Sequence, residues 1–351
     1  MKRAVQFIFL FVAGTAFLSS CSKKPPPPEG ISGINPTHGP KDTTVVISGG
    51  GFGNTAANAN VYFNGHAATI VSIEETKITA RVPMLAGTGP VTVSINGNTF
   101  AGPVFTYDTT YAVSTFATGL ISPYGIAVDN ANGNLFVAAY GNNTVQKVTK
   151  DGIVSHFASG FFLPGGIAID NSRNLYVTNY GNNTIAKITQ SGVVSTLIDS
   201  INHPAGIFID AAGNMYVTNF GDTTISIISG GGTVRTINTG ITYTTGITRD
   251  ANGNVYLTNT ANNSISKITL NGDVGTFATG LHTPSDITCD ADGNLYVTDP
   301  SNNTITKIKQ TGAIKIIAEG LAEPNAITID DAGNLFVGCS SSNTIVKVSA
   351  Q

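Results

Sequence analysis

The stretch that decides the fold reads GIAIDNSRNLYVTNYGNNTIAKITQSGVVSTLI and runs from Gly166 to Ile198. It divides into four short apolar runs, GIAID, LYVTN, TIAKIT and VVSTLI, which are separated by turn residues. Runs of this length, bounded by Gly, Asn, Asp and Ser, are typical of β-strands joined by tight turns. The stretch therefore predicts a four-stranded antiparallel sheet.

The same pattern occurs six times at a spacing of 40 residues. Its most regular phrase begins at the following positions: GNLFV at Gly133, RNLYV at Arg173, GNMYV at Gly213, GNVYL at Gly253, GNLYV at Gly293 and GNLFV at Gly333. A fixed period of 20–50 residues is the signature of solenoids and propellers. Four-stranded units of this length are typical blades of a β-propeller.

The full repeat, P-x-G-I-x-x-D-x-x-G-N-L-Y-V-T-N followed by N-N-T-I-x-K-I and G-x-V, resembles the NHL repeat across residues 111–351. The resemblance implies an all-β, six-bladed propeller, which we assign to residues 109–351. Two positions depart from the pattern: the first copy has one extra residue in DNANGN, and Thr244 replaces the usual proline. Neither departure changes the predicted fold.

The last copy, NTIVKVSAQ (residues 343–351), ends before its fourth strand. An isolated run, YAVSTFATGL from Tyr111 to Leu120, precedes the first inner strand and closely matches GDVGTFATGL from Gly272 to Leu281. We expect this isolated run to complete blade six, so that one sheet joins both ends of the array. Such closure removes the exposed sheet edges of an open array.

Residues 31–108 alternate short strand patterns with turns, which predicts a small β-sandwich. The segment resembles the IPT/TIG family of immunoglobulin-like domains. The resemblance rests on INPTHGP, VVISGGGFG, VYFNG, ITARVP and the closing VFTY. It implies a spacer, an adhesion module or an accessory glycan-binding domain.

The first residues have the pattern of an export signal. Lys2 and Arg3 precede the apolar run Ala4–Leu18, and LSSC (Leu18–Cys21) resembles the lipobox of bacterial lipoproteins. The resemblance implies that residues 1–20 are removed and that Cys21 is acylated, which would anchor the chain in a membrane of the bacterial cell envelope, by expectation the outer membrane. Residues 21–30, with four consecutive prolines, then form an extended tether. An ordinary cleaved signal with an incidental cysteine is the alternative.

The composition argues against a nucleic-acid partner. The net charge is −3, charged residues make up 11% of the chain, and the repeated lysines lie on the third strands, towards the outer side of each blade. The chain has two further cysteines, Cys289 and Cys339. The repeat alignment places Cys289 near one end of an inner strand and Cys339 near the opposite end of the second strand of the following blade. We expect both thiols to be unpaired and buried, and the protein to be a monomer.

Loops on one face of the predicted propeller are uniform, whereas those on the other face differ from blade to blade. We call the second face the variable face. Its candidate ligand-binding residues are aromatic, imidazole and carboxylate side chains: Tyr140, Tyr180, Phe220, His203, Tyr243, His282 and Glu323. They predict a shallow amphipathic pocket. The alternative is that the rings pack between blades.

The side chains at the end of the second strand, Asn179, Asn219, Asn259 and Asp299, are expected to hold loops through hydrogen bonds rather than to bind a metal. We assign no catalytic residue, metal or cofactor. The predicted function is a non-catalytic envelope protein whose propeller binds a protein or glycan. The alternatives are a propeller enzyme resembling streptogramin lyases or lactonases, for which His203 or His282 with Glu323 is the candidate pair, and a purely structural or adhesive surface protein.

Overall fold

The computed structural model describes residues 28–351. The predicted signal, the anchor Cys21 and the first part of the tether lie outside the described residues. The chain divides into two compact units, the first ending at Asp108 and the second spanning Thr109–Gln351. Within residues 28–351, none of the helical structure has the length and apolar character needed to cross a membrane.

The first unit is a β-sandwich with a single 3-10 turn, Ala56–Asn58. Its strands are β1 (Gly30–Asn35), β2 (His38–Gly39), β3 (Thr44–Gly50), β4 (Ala59–Phe63), β5 (His66–Glu74), β6 (Lys77–Arg81), β7 (Gly89–Ile95) and β8 (Asn98–Tyr107). Their hydrogen-bonded order is β1-β3-β6-β5-β4-β7-β8-β2.

The core of this unit forms because alternate residues of facing strands point inward. Ile47, Phe63, Ile78, Val93 and Phe105 are almost fully buried. The rings of Phe63 and Phe105 meet edge to face, with centroids 5.1 Å apart. This core agrees with the predicted immunoglobulin-like sandwich.

The second unit begins with β9 (Tyr111–Thr118) and continues into six blades, each numbered from its inner to its outer strand. Blade one contains β10 (Pro123–Asp129), β11 (Asn134–Ala139), β12 (Thr144–Val148) and β13 (Val154–Ser159). Blade two contains β14 (Pro164–Ile169), β15 (Leu175–Asn179), β16 (Thr184–Ile188) and β17 (Val194–Ile198). Blade three contains β18 (Pro204–Ile209), β19 (Met215–Asn219), β20 (Thr224–Ile228) and β21 (Val234–Asn238).

Blades four and five have shorter inner strands. Blade four contains β22 (Ile247–Arg249), β23 (Val255–Asn259), β24 (Ser264–Ile268) and β25 (Val274–Thr279). Blade five contains β26 (Ile287–Cys289), β27 (Leu295–Asp299), β28 (Thr304–Ile308) and β29 (Ile314–Ala318). Blade six contains β30 (Pro324–Ile329), β31 (Leu335–Cys339) and β32 (Thr344–Ala350), with β9 as its outer strand.

The ring closes through β9, as the sequence predicts. This strand runs antiparallel to β32, with Ile345 opposite Ala117 and Val348 opposite Val113. The amide of Leu120 donates to the carbonyl of Asn343 at 3.1 Å. The side chain of Leu120 is buried among residues of blades one and six, so the isolated run completes both the sheet and the core at the junction.

Close approach of neighbouring inner strands explains the glycine of the P-x-G-I phrase. A Cβ added to Gly166 would lie 2.6 Å from the carbonyl oxygen of Ala205 in the next blade. Four blades have glycine here, but blade five has Asp286 and blade six has Ala326. Only a residue without a side chain fits the tighter junctions between inner strands. At blades five and six, where Asp286 and Ala326 replace glycine, the inner strands therefore present side chains at this position.

The uniform face is held by its repeated D-x-x-G-N turn. In blade two, Asp170 accepts the amide of Asn174 at 2.8 Å, its side-chain nitrogen at 2.9 Å and the hydroxyl of Tyr176 at 3.0 Å. Burial opposes ionisation of Asp170, but these hydrogen bonds outweigh it and lower the pKa of the carboxyl group. The same three contacts recur around Asp250. The aspartates of this face therefore stabilise turns.

Candidate functional site

The inner strands surround a central channel with a volume of about 470 Å³. The channel runs from the variable face, where Tyr124 lies, towards the ends of the inner strands at Cys289 and Ile329. Its volume lies within the roughly 300–1,000 Å³ that is common for small-ligand sites. The channel mouth on the variable face is the candidate site.

Aromatic rings occupy one side of this mouth. Tyr124 and Tyr140 meet with centroids 5.1 Å apart, and Tyr180 lies 5.7 Å from Phe220. All four rings line the channel, and we call them the aromatic arc. Phe220 also contacts Tyr243 at 5.3 Å, which extends the aromatic surface outward.

The arc arises from two regular positions of the fold. Tyr140, Tyr180 and Phe220 follow the second strands of blades one to three directly, so successive blades place them side by side. Tyr124 comes instead from β10, the inner strand of blade one. Tyr124 is not among the candidate residues predicted from the sequence. Comparison of the repeats could have identified it, because Tyr124 is the only aromatic residue at its repeat position, directly after the lead-in proline. The other blades have small or polar residues there: Gly165, Ala205, Thr245, Ser285 and Asn325.

The loops that lead into the inner strands have a shared and unusual backbone. Ser122, Leu163, His203 and Glu323, each directly before the first residue of an inner strand, have φ values between 48° and 52°. Non-glycine residues rarely adopt this left-handed conformation. Asparagine side chains of the preceding blade hold it: Asn183 Oδ1, for example, accepts the amide of His203 at 3.0 Å.

This arrangement decides what the predicted variable-face residues contact. The ring of His203 lies 5.1 Å from Tyr180, so His203 and Tyr243 form the rim of the arc without lining the channel. Glu323 accepts the hydroxyl of Ser340 at 3.1 Å. The backbone of His282 donates to Asp299 at 2.8 Å. Among residues 28–351, no hydrogen bond or ion pair joins His203 or His282 to Glu323, so the predicted set divides into an aromatic group and two separate polar positions.

Two of the side chains at the ends of the second strands hold lead-in loops, as the sequence predicts, whereas Asn219 binds Thr224 and Ser226 of its own blade. Asn179 accepts the amide of Phe162 at 3.2 Å, and Asp299 accepts the amides of His282 and Thr283. Both are almost fully buried. They fix the lead-in loops and thereby the geometry of the mouth.

The opposite wall of the channel is polar. Blades four to six contribute Thr245, Ser285, Asp286 and Asn325 where blades one to three contribute glycine, alanine and the ring of Tyr124. Part of this wall is occupied by contacts between blades: Thr258 donates to the carbonyl of Ser285 at 3.0 Å, and Ser285 donates to the carbonyl of Asn325 at 3.3 Å. The channel mouth therefore has an aromatic side and a hydrogen-bonding side.

Asp286 is the acidic residue of this wall. One of its carboxylate oxygens accepts the amide of Ile287 and the other the amide of Ile327, each at 2.9 Å. Its side chain touches channel solvent but is enclosed by protein on most sides, and burial raises the pKa of the carboxyl group to about 7 despite the two amides. Asp286 replaces the glycine of four sister blades and is not among the candidate residues predicted from the sequence.

Arg249 is the basic residue among the channel-lining side chains. Its guanidinium binds Asp210 at 3.1 Å and lies over the ring of Tyr216, with the central carbon 5.5 Å from the centroid. These partners belong to the turn and strand of the neighbouring blade. Arg249 is thus occupied in joining blades three and four, and it does not neutralise Asp286.

The two thiols agree with the expectation from sequence. Cys289 and Cys339 are both free, and Cys339 is buried whereas Cys289 is partly buried. Burial raises the pKa of Cys289 to about 12, to which the charges of Asp290 and Asp250 contribute. Across residues 28–351, no group of three or more His, Cys, Asp and Glu side chains is placed to hold a metal ion.

The fold and site define a β-propeller protein with an N-terminal TIG domain and an amphipathic channel mouth. The IPT/TIG domain family matches residues 28–112, and the virginiamycin B lyase family matches residues 109–351. Because the second match covers more than half of the chain, the chain belongs to the virginiamycin B lyase family. A search of curated proteins found no significant match.

Solved structures share the architecture at low sequence identity. An auxiliary nutrient binding protein from Bacteroides thetaiotaomicron is 15% identical with a TM-score of 0.61, covering 93% of this chain and 98% of that protein. A virginiamycin B lyase from Staphylococcus aureus is 20% identical with a TM-score of 0.53, covering 70% of this chain and 88% of the lyase. A gluconolactonase from Xanthomonas campestris is 15% identical with a TM-score of 0.63, covering 69% and 90%. These similarities establish the fold alone.

Proposed function

We propose that this chain is a binding protein of the bacterial cell envelope that takes its ligand at the channel mouth. The observation that carries this proposal is the aromatic arc facing a polar wall across one opening. A ligand with one apolar face and several polar groups would bury its apolar face on the rings and direct its polar groups at the opposite wall. A terminal sugar or a peptide side chain has this character.

The distribution of residues around the ring supports the proposal. The uniform face repeats the same turn, whose aspartates, asparagines and tyrosines are joined to each other. At the mouth, by contrast, Tyr140, Tyr180 and Phe220 give way to Thr260, Pro300 and Ser340 at the same repeat position. Binding residues commonly lie on loops held by a rigid scaffold, and the asparagine-held loops provide such a scaffold.

The likeness to a nutrient-binding protein over both domains is consistent with a binding role. In this proposal, Cys21 carries the lipid anchor, the proline-rich tether spaces the protein from the membrane, and the TIG domain is a further spacer or accessory binding module.

The test is a binding screen of the purified protein with a matched pair of variants. Thermal shift and calorimetric titration would be run against oligosaccharides, short peptides and aromatic small molecules. Tyr180→Ala removes the ring that joins Phe220 to His203 and should weaken binding of any hit at least about tenfold, as expected for a central aromatic contact. Phe162→Ala is the control, because this ring is 56% exposed on the same face but does not line the channel.

Equal loss of affinity in both variants, or no loss in either, would place the ligand elsewhere and contradict the proposal. Absence of binding by every class of compound would favour a structural or adhesive role.

Membership of the virginiamycin B lyase family favours a second candidate function, that of a lyase. One solved structure with this fold is a catalytically inactive virginiamycin B lyase from S. aureus with quinupristin, 18% identical with a TM-score of 0.52. In this chain the candidate general base is His282 or His203, both exposed at the mouth. Incubation with quinupristin, with and without a divalent cation, would be followed by chromatography. Substrate loss that disappears in His282→Ala or His203→Ala would support the lyase, and an unchanged substrate would exclude this activity.

A further inference from the structure

The wall facing the aromatic arc contains a carboxylate that the fold does not require. Asp286 stands where blades one to four have Gly125, Gly166, Gly206 and Gly246. In those blades glycine lets neighbouring inner strands approach closely, and the propeller forms without any polar group at the position. A carboxylate placed in an enclosed position is unfavourable unless its charge is compensated.

The compensation within the protein is incomplete. The amides of Ile287 and Ile327 each bind one carboxylate oxygen, which fixes the group but leaves further acceptor capacity on both oxygens. None of the ion pairs formed by residues 28–351 includes Asp286. The channel's arginine, Arg249, is bound to Asp210 instead. Asp286 is therefore a carboxyl group fixed in the channel wall, and no ion pair of residues 28–351 gives it a cationic partner.

The aromatic arc lies within electrostatic reach of this carboxylate. The negative charge of Asp286 contributes, after burial and the charges of Tyr140 and Tyr180, to raising the pKa of Tyr124. Both Tyr124 and Asp286 line the same cavity. Aromatic faces attract organic cations through their quadrupoles, and a carboxylate adds a charge-assisted hydrogen bond. Rings on one side and a carboxylate on the other form the chemical environment of an ammonium site.

We propose that the ligand of the channel mouth carries a protonated amine, which binds the carboxylate of Asp286 while the adjoining part of the ligand packs on the aromatic arc. The proposal rests on the proposed binding function and specifies its ligand class. The fixed carboxylate acts as an acceptor for two or more N–H groups of the ammonium. The rings of Tyr124 and Tyr140 line the same cavity as this carboxylate. A neutral ligand of the same shape would leave the charge of Asp286 unpaired.

The experiment uses two isosteric probes, phenethylamine and 2-phenylethanol, with the wild-type protein at pH 8, where Asp286 is mostly ionised because its pKa is about 7. Phenethylamine carries an ammonium group at this pH, whereas the alcohol is neutral. Affinities would be measured by ligand-observed NMR titration. The amine should bind at least about tenfold more tightly than the alcohol, as expected for an ammonium paired with an enclosed carboxylate.

Two variants assign the preference to Asp286. Asp286→Gly restores the residue of four sister blades, so it should fold, and Asp286→Asn keeps the size of the side chain while removing its charge. Each should abolish the preference for the amine over the alcohol. Tyr180→Ala should weaken both probes.

The outcomes separate this inference from the proposed function. If both probes bind equally and Tyr180→Ala weakens both, the arc is a binding site and the ammonium inference is wrong. A preference for the amine that persists in Asp286→Gly also overturns it. If neither probe binds, the ammonium inference fails, and if Tyr180→Ala leaves the binding of both probes unchanged, the site itself is misplaced.

Discussion

Closure of the ring by β9 predicts that Leu120 contributes as much to the stability of the propeller as Leu321, the equivalent residue inside the array. Leu120 is 2% exposed and Leu321, at the equivalent position between blades five and six, is 6% exposed. The amide of Leu120 donates to Asn343, and that of Leu321 to Asn303. The two leucines occupy equivalent places, but the partner of Leu120 lies near the other end of the chain, because Asn343 directly precedes β32, the strand that pairs with β9.

Replacing either leucine with alanine should therefore lower the free energy of unfolding by a similar amount. Leucine-to-alanine changes in a packed core cost about 2–5 kcal/mol, so about 3 kcal/mol is expected for each. For a domain of this size, roughly 2–4 °C per kcal/mol then gives a fall in melting temperature of about 6–12 °C. Differential scanning calorimetry of the full chain would measure it.

Leu270→Ala is the matched control, because this side chain is 71% exposed and its loss should change stability by less than about 0.5 kcal/mol. If Leu120→Ala resembles Leu270→Ala while Leu321→Ala is strongly destabilised, β9 does not complete blade six and the closure is refuted.

Two further predictions concern buried titratable groups. Hydrogen bonds lower the pKa of Asp250 in the folded protein below its usual 3.8, although burial opposes this, so its stabilising effect is present above pH 3.8 and is lost as the pH falls through the lower folded value. Asp250→Asn should thus lower the free energy of unfolding by about 1.5–3 kcal/mol at pH 7. Thermal melts should show the difference from wild type shrinking below pH 3.8. The control, Asp151→Asn at an exposed position, should have no effect at either pH. Burial also raises the pKa of Cys289 to about 12. In a Cys21→Ser protein at pH 8, the two remaining thiols should therefore react slowly with Ellman's reagent until guanidinium unfolds the chain. Rapid reaction of the native protein would contradict the burial of these thiols.

The fold could be read from the sequence because its determinants are local and repeated. The 40-residue period fixed the blade, and the match between Tyr111–Leu120 and Gly272–Leu281 located the closing strand. The free state of Cys289 and Cys339 followed from their positions in the repeat. Each of these inferences compares a segment with its own copies. Because the pattern occurs six times, a departure in one copy, such as Thr244 in place of proline, does not obscure it.

The site was only partly predictable, since it depends on how side chains from different blades meet. Tyr140, Tyr180 and Phe220 share one repeat position, so the sequence indicated that they lie together. Tyr124 comes from a different position, and only the ring geometry brings it to Tyr140. His282 and Glu323 are on the expected face but their contacts are to Asp299 and Ser340, which sequence spacing does not reveal.

Asp286 was missed for an instructive reason. The inner strand of blade five reads DITCD, with Asp286 at its start and Asp290 at its end. Asp290 belongs to the repeated turn, and Asp286 is easily taken for a second aspartate of the same kind. Comparing columns across blades, rather than reading each blade along its length, exposes a carboxylate where glycine is the rule. Arg249 and Cys289 are detected in the same way, at a position that is aliphatic in blades one, two, three and six.

The most direct test of the account is to determine where an aromatic amine binds. A crystal structure of the protein with phenethylamine is predicted to show the phenyl ring against Tyr180 and Phe220 and the ammonium nitrogen within about 4 Å of the Asp286 carboxylate, a typical ion-pair distance. Density for the amine on the uniform face or along an outer strand, with an empty channel mouth, would contradict the account.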